Sequence, residues 1–281
     1  MVIWLLLAVV TVALIGTLGE TLLWCFIWYK YSYRVEISQN NWNKAIVFLT
    51  GISDYANRHL QSEQIAFLQE IGKQYPVDLI VAEPFPYEEF TANKFKLFEI
   101  WRYLGFREPP LWVISLHNFW QTVLTVCFEQ AYGNAVARCI INRIGLPKSS
   151  NTTLIFICGS TGANLVLAAA PILKQRLQSR LIIISYGGVF RSAKGFDFVD
   201  NFYHLIGQKD IWTKLGEIIF PGRLFSWGYF ERAKQENRFS VHYTGEHEHL
   251  TYLSSKLPKF QMESYRELTL NTVMSVLSKS T

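Results

Sequence analysis

The sequence predicts an α/β fold: a mostly parallel sheet flanked by helices and preceded by a transmembrane helix. Three observations carry this. After residue 34, short β-branched runs alternate with longer helical patterns, as in a parallel sheet whose strands are joined by crossing helices. The β-type runs are almost continuously apolar, so both faces of the sheet are covered. Ahead of them, residues 2–29 hold a single charged residue, Glu20, and about twenty apolar residues are enough to cross the hydrocarbon layer.

In chain order, the N-terminal stretch reads as a retained span. A cleaved signal peptide is the alternative, but no Lys or Arg precedes the apolar run and no A-x-A site follows it. Trp24, Phe26, Trp28 and Tyr29 form an interfacial aromatic belt, and Lys30 and Arg34 follow, so the large domain is expected on the cytoplasmic side. Glu20, within a turn or two of the belt, is expected near the headgroups. The anchor is thus placed at residues 1–30. Residues 31–44 read as a juxtamembrane linker or edge strand, with YRVEI (33–37) the strand candidate, and residues 45–281 read as one domain.

Within that domain, strands are expected at 45–50, 77–82, 153–158, 181–185, 201–206 and 239–243. Helices are expected at 61–74, over one long stretch at 113–143, at 164–177 and near 261–277. Two insertions interrupt the alternation, at 84–110 and 211–237. Their dense aromatics are expected to pack on the core, with a lid or a membrane-facing surface as the alternative.

Composition narrows the function classes. With 50% hydrophobic and 15% aromatic residues among 281, the chain can bury a large core, and disorder is excluded. The net charge of +5 is spread over scattered Lys and Arg residues, which is not the stripe of a nucleic-acid binder. Cys25, Cys127, Cys139 and Cys158 show neither paired spacing nor a C-x-x-C, so neither a disulfide framework nor a zinc site is indicated, and no cofactor is expected.

The informative stretch is Cys158-Gly159-Ser160-Thr161-Gly162, between an apolar β-type run and a helical one. A dinucleotide loop is disfavoured, because the third glycine position is Leu165 and no acidic residue ends the next strand. A P-loop would need G-K-[ST]. A nucleophile elbow instead requires a strand, a sharp turn with the nucleophile at its apex, and small flanking residues. Here Gly162 and Ala163 are small, while Cys158 stands where glycine is usual. Such a turn lifts the Ser160 hydroxyl above the sheet edge and aims the Thr161 N–H at a developing oxyanion. Partners follow in the order acid then base, each after a later strand: Asp210 in NFYHLIGQKDIW, then His247 and His249 in FSVHYTGEHEHLTYL.

From about residue 45 to residue 252 the sequence resembles the α/β-hydrolase family. FLTGIS resembles the family's oxyanion-side His-Gly motif, with Thr50 in place of the His and Gly51 kept. GQKDIW resembles the acid loop, and HLTYL resembles the histidine loop of lipases. The resemblance implies Ser160 as nucleophile, Asp210 as acid and His249 as base, with His247 the alternative base. It also implies oxyanion donors at the N–H groups of Thr161 and Ile52, with Ser53 as an extra one. Asp197 or Asp200 takes the acid role if the strand register differs. His204 and His242 read as packing residues, His59 and His117 as helix-surface or core residues, and Cys158 as a spacer.

The expected activity is that of a membrane-anchored serine hydrolase cleaving an ester, with a membrane lipid or small acyl ester as substrate. The alternatives are an acyltransferase using the same triad and a catalytically silent scaffold that binds a lipid or protein partner at the membrane.

Overall fold

The computed structural model describes residues 2–33, 38–49, 60–81, 111–149, 151–223, 227–259 and 261–279. Thr50, Gly51, Ile52, Ser53 and His59, the insertion at 84–110 and YRVEI beyond Tyr33 lie outside the described residues.

Helix α1 (Val2–Ser32) comes first, followed by β1 (Gln39–Asn40), β2 (Lys44–Leu49), α2 (Ser62–Gln74) and β3 (Leu79–Val81). Next are α3 (Leu111–Cys127), α4 (Glu129–Ile144), β4 (Leu146–Pro147), β5 (Thr153–Gly159), α5 (Gly162–Leu177), β6 (Arg180–Tyr186) and β7 (Asn201–Ile206). The chain continues through α6 (Ile211–Ile219), α7 (Tyr229–Gln235) and β8 (Phe239–Tyr243) to α8 (Tyr265–Lys279).

Six strands form one sheet in the order β3-β2-β5-β6-β7-β8, parallel throughout. β1 and β4 make a separate two-residue pairing. The expected parallel sheet flanked by helices is therefore present, and all six expected strands are found within two residues of their boundaries.

Period-2 alternation divides the buried strand residues between two cores. Val47, Phe156, Cys158 and Ile183 face α4 and α5, packing with Val136, Ile140, Val166 and Leu173. Ile46, Phe48, Ile155, Ile157 and Ile184 face α2 and α8, packing with Phe67, Ile71, Val273 and Val276. Each large apolar side chain so buried contributes about 1.5–3 kcal/mol. α4 and α5 approach closely because Gly133 has no side chain: a Cβ there would stand 2.1 Å from the Ala168 carbonyl oxygen.

The long helix expected at 113–143 is two helices. Phe128 leaves helical geometry at φ −120°, ψ 41°, and α4 restarts at Glu129. No Gly or Pro marks the break, so the local pattern reads straight through it.

α1 is 31 residues long, and its Val10–Ser32 stretch is long and apolar enough to cross a membrane by length and composition. Its two halves differ. Thr17, Thr21, Trp24, Trp28 and Ser32, one stripe at helical spacing, are buried against the domain, whereas Val10, Val12 and Ile15 are exposed.

The connections position the site. β2 leads outward to β3, and β5 leads to β6 on its other side, so the crossover direction reverses between the adjacent strands β2 and β5. Ligands of open parallel sheets bind outside the carboxyl ends of strands at such a switch point. Ser160 is the first residue beyond β5.

Candidate active site

Ser160 adopts φ +47°, a left-handed conformation costing a non-glycine residue about 1–2 kcal/mol. The turn is tied down on both sides: Ser160 N–H donates to the Tyr186 carbonyl at 3.1 Å, and Val189 N–H donates to the Ser160 carbonyl at 2.9 Å. Gly159 permits the tight crossing, since a Cβ would lie 2.7 Å from the Tyr186 ring. Strain held by its surroundings at a strand-to-helix turn is a recognised mark of a functional position.

Cys158 points away from the turn. It is fully buried, its Sγ lies 3.8 Å from the Ile184 carbonyl, and burial pushes its thiol up to about 12. A thiol so protonated has no nucleophilic character. Thr161 follows Ser160 as the N-cap residue of α5.

His249 lies directly over Ser160, its Nε2 2.9 Å from the serine Oγ. Its Nδ1 is 3.1 Å from each carboxylate oxygen of Asp210. A carboxylate only accepts, so Nδ1 carries the proton and Nε2 is left to accept from the Ser160 hydroxyl.

Asp210 is fully buried and also caps α6, its Oδ1 accepting from Trp212 N–H at 3.0 Å. Tyr252 O–H donates to its Oδ2 at 2.9 Å and accepts from Gly207 N–H at 2.7 Å. Burial alone would raise the Asp210 pKa. The hydrogen bond and charge of His249 and the bonds from Tyr252 and Trp212 outweigh it, holding the carboxyl below the usual range. The helix-capping bond and the histidine contact coexist on one carboxylate, whose Oδ1 serves both.

The other acidic candidates lie elsewhere. Asp197 is clamped by the Arg232 guanidinium, and Asp200 pairs with Lys174 at 2.6 Å and accepts from Leu181 N–H.

His247 does not reach the serine. It is fully buried, its Nε2 lies 2.8 Å from the Thr244 carbonyl, and its ring stacks on Tyr252 at 4.7 Å and 2°. Burial lowers its pKa, so it is a neutral packing group. The neighbouring Glu246 pairs with Lys209 at 2.6 Å. HLTYL, 249–253, is a series of turns.

His204 is buried in β7, and burial lowers its pKa to about 3. His242 sits beside Ser240 in β8, and His117 is buried in α3.

Three contributors were not identified from the sequence. Tyr252 was read only as part of an apolar run. Asn164 bridges α5 to the loop after β6, donating to the Val189 carbonyl at 2.9 Å and accepting from Arg191 N–H at 3.1 Å. Gly187, at φ +56°, has no side chain where one would stand 3.0 Å from Asp210 Oδ2 and 3.4 Å from His249 Nδ1. The Gly187-Gly188 pair directly after a strand was the available signal.

The site's flank is apolar. α6 begins just after Asp210, and Ile211, Trp212, Ile218 and Ile219 on it are exposed, with the Trp212 ring 6.1 Å from that of His249. In the same insertion Phe230 packs into the core while Trp227 is 75% exposed, so the expectation of core packing holds for only part of it. No group of three His, Cys, Asp or Glu side chains that could hold a metal ion occurs among the described residues.

No protein-family profile matches the chain, and no curated protein matches its sequence. Among solved structures, it is similar to one described as "The structure of Francisella virulence factor BioJ", at 11% identity over 86% of this chain and 79% of that one, with a TM-score of 0.40.

Proposed function

We propose that the chain is a membrane-anchored serine hydrolase acting on an acyl ester, with residues 1–30 as the anchor and residues 45–281 as the catalytic domain. One observation carries the reading: the His249 imidazole stands 2.9 Å from the Ser160 hydroxyl and 3.1 Å from a buried carboxylate that holds its tautomer. This is the arrangement a weak hydroxyl nucleophile needs.

In the proposed reaction Ser160 Oγ attacks the acyl carbonyl as His249 Nε2 takes its proton, and Asp210 stabilises the imidazolium. The carbonyl oxygen becomes an oxyanion bonded by Thr161 N–H, with Ile52 N–H as the second donor. Collapse breaks the ester C–O bond, and His249 returns its proton to the departing alcohol. Water, deprotonated by the same imidazole, then releases the acid. Each oxyanion donor is worth about 3–4 kcal/mol in such chemistry.

A membrane-partitioned, lipid-like substrate is supported by the apolar Val10–Ser32 stretch and by the exposed apolar face of α6 beside His249. The positive flank at Lys30 and Arg34 supports a single span with the domain on the cytoplasmic side. An acyltransferase would share the first half of this reaction and differ only in the acceptor.

The test is fluorophosphonate labelling of the full chain, because an activated serine reacts and a turn serine does not. Wild type is expected to label and Ser160→Ala to remain unlabelled. Equal labelling of both removes Ser160 as nucleophile, and no labelling of wild type favours the silent scaffold.

A further inference from the structure

We propose that α3 enters the bilayer beside α1, so that the substrate is a membrane-resident acyl ester reaching Ser160 sideways from the lipid. This rests on the proposed membrane span and deepens the hydrolase reading.

The two helices are joined by polar contacts inside the apolar stretch. Thr21 Oγ1 lies 2.7 Å from His117 Nδ1, Trp120 Nε1–H donates to Thr17 Oγ1 at 3.1 Å, and Glu20 Oε2 stands 3.1 Å from His117 Nε2. Both threonine hydroxyls donate their only proton within α1, to the carbonyls of Ala13 and Thr17, each at 2.7 Å. They are therefore acceptors toward α3, and His117 Nδ1 is the proton-bearing nitrogen. Such contacts between helices suit a lipid setting, where no water competes for them.

Depth follows from helix geometry. Trp24 and Trp28 of the expected aromatic belt are buried against the domain, so its exposed member Phe26 marks the headgroup level. Thr21 and Thr17 lie five and nine residues from it toward the bilayer centre, about 8 and 14 Å at about 1.5 Å per residue. His117 and Trp120 are bonded to them and share that depth. α3 is built for it: none of its seventeen residues, LWVISLHNFWQTVLTVC, is Asp, Glu, Lys or Arg, and Trp112 and Phe119 are 51% and 53% exposed. Glu20 of α1 faces His117 across this contact.

The same helix reaches the serine turn. Gln121, Thr122 and Thr125 of α3 line a small cleft whose other wall is Thr161, Gly162, Asn164 and Leu165. α3 thus joins the proposed lipid-facing surface to the residue that follows Ser160. Continuity with the apolar stretch of α1 selects lipid as the occupant of this face.

The full chain, reconstituted in phosphatidylcholine vesicles carrying a diazirine in the acyl chain, is irradiated and the adducts mapped by mass spectrometry. Adducts are expected on α1 and on Phe119 and its neighbours. Adducts on α1 alone overturn the inference while leaving the span intact, and adducts on neither remove the span itself. Absence of label from α3 together with a dimeric mass in detergent assigns that face to a second copy. In a parallel arm, Phe119→Arg is expected to lower turnover of a vesicle-embedded long-chain ester, relative to a soluble short-chain ester, by tenfold or more. An unchanged ratio overturns the inference, whereas failure of wild type to label with fluorophosphonate refutes the hydrolase reading and leaves the mapping arm unaffected.

Discussion

Replacing Tyr252 by Phe removes one oxygen from the centre of the site while keeping the ring that stacks on His247 at 4.7 Å. That oxygen makes two buried bonds, one to the Asp210 carboxylate at 2.9 Å and one from Gly207 N–H at 2.7 Å. A hydrogen bond to a charged group contributes about 1.5–3 kcal/mol, and a buried N–H left without its acceptor costs about 1–3 kcal/mol. The variant is therefore expected to lose roughly 2.5–6 kcal/mol, read as a lower guanidinium midpoint in detergent with little change in slope. Asp210 keeps its bonds from Trp212 and His249, so fluorophosphonate labelling should slow by far less than it does in a His249 variant.

The pH dependence has a definite sign. Asp210 has a folded pKa below its unfolded value, so its contribution is present above the unfolded value, near 4, and is lost as pH falls through the folded one. Tyr252 O–H is one of the donors that lower it, so Tyr252→Phe should move the acid-unfolding midpoint to higher pH. A stability loss under about 0.5 kcal/mol, the range of ordinary surface substitutions, with an unmoved acid midpoint would refute this account of how the carboxylate is held.

The remaining predictions concern the same neighbourhood. His249→Ala should lower turnover by several orders of magnitude. His247→Ala should cost tenfold or less and register mainly as lost stability; kinetics with a soluble ester and a denaturation curve for each variant decide the ranking. Gly187→Ala should destabilise by about 2 kcal/mol or more, from its left-handed backbone and from a Cβ 2.9 Å from the Tyr252 ring. It should also slow labelling markedly, since a displacement of about 1 Å at such a site can cost about a hundredfold. In the native protein iodoacetamide at neutral pH should modify exposed Cys127 and spare Cys158, whose buried thiol is pushed up to about 12; mass spectrometry of the alkylated peptides checks this.

What the linear chain settles is local or periodic. Near-continuous apolar runs place β2, β5 and β6, because a strand covered on both faces has no polar side to disguise it. The small residues around Ser160 mark a tight turn, and the order serine, aspartate, histidine after successive strands is legible because each partner lies a few residues past a strand end. Other features depended on three-dimensional packing. His247 and His249 are two residues apart in one loop, and only the path of that loop sends one ring to Thr244 and Tyr252 and the other to Ser160. Tyr252 reads as an apolar residue until the fold brings its hydroxyl to a carboxylate 42 positions earlier. Gly187 is needed only because Asp210 and His249 converge on the space beside it. The break at Phe128 and the docking of half of α1 on α3 arise from contacts between segments far apart in the chain, whose energies no local pattern of residues records.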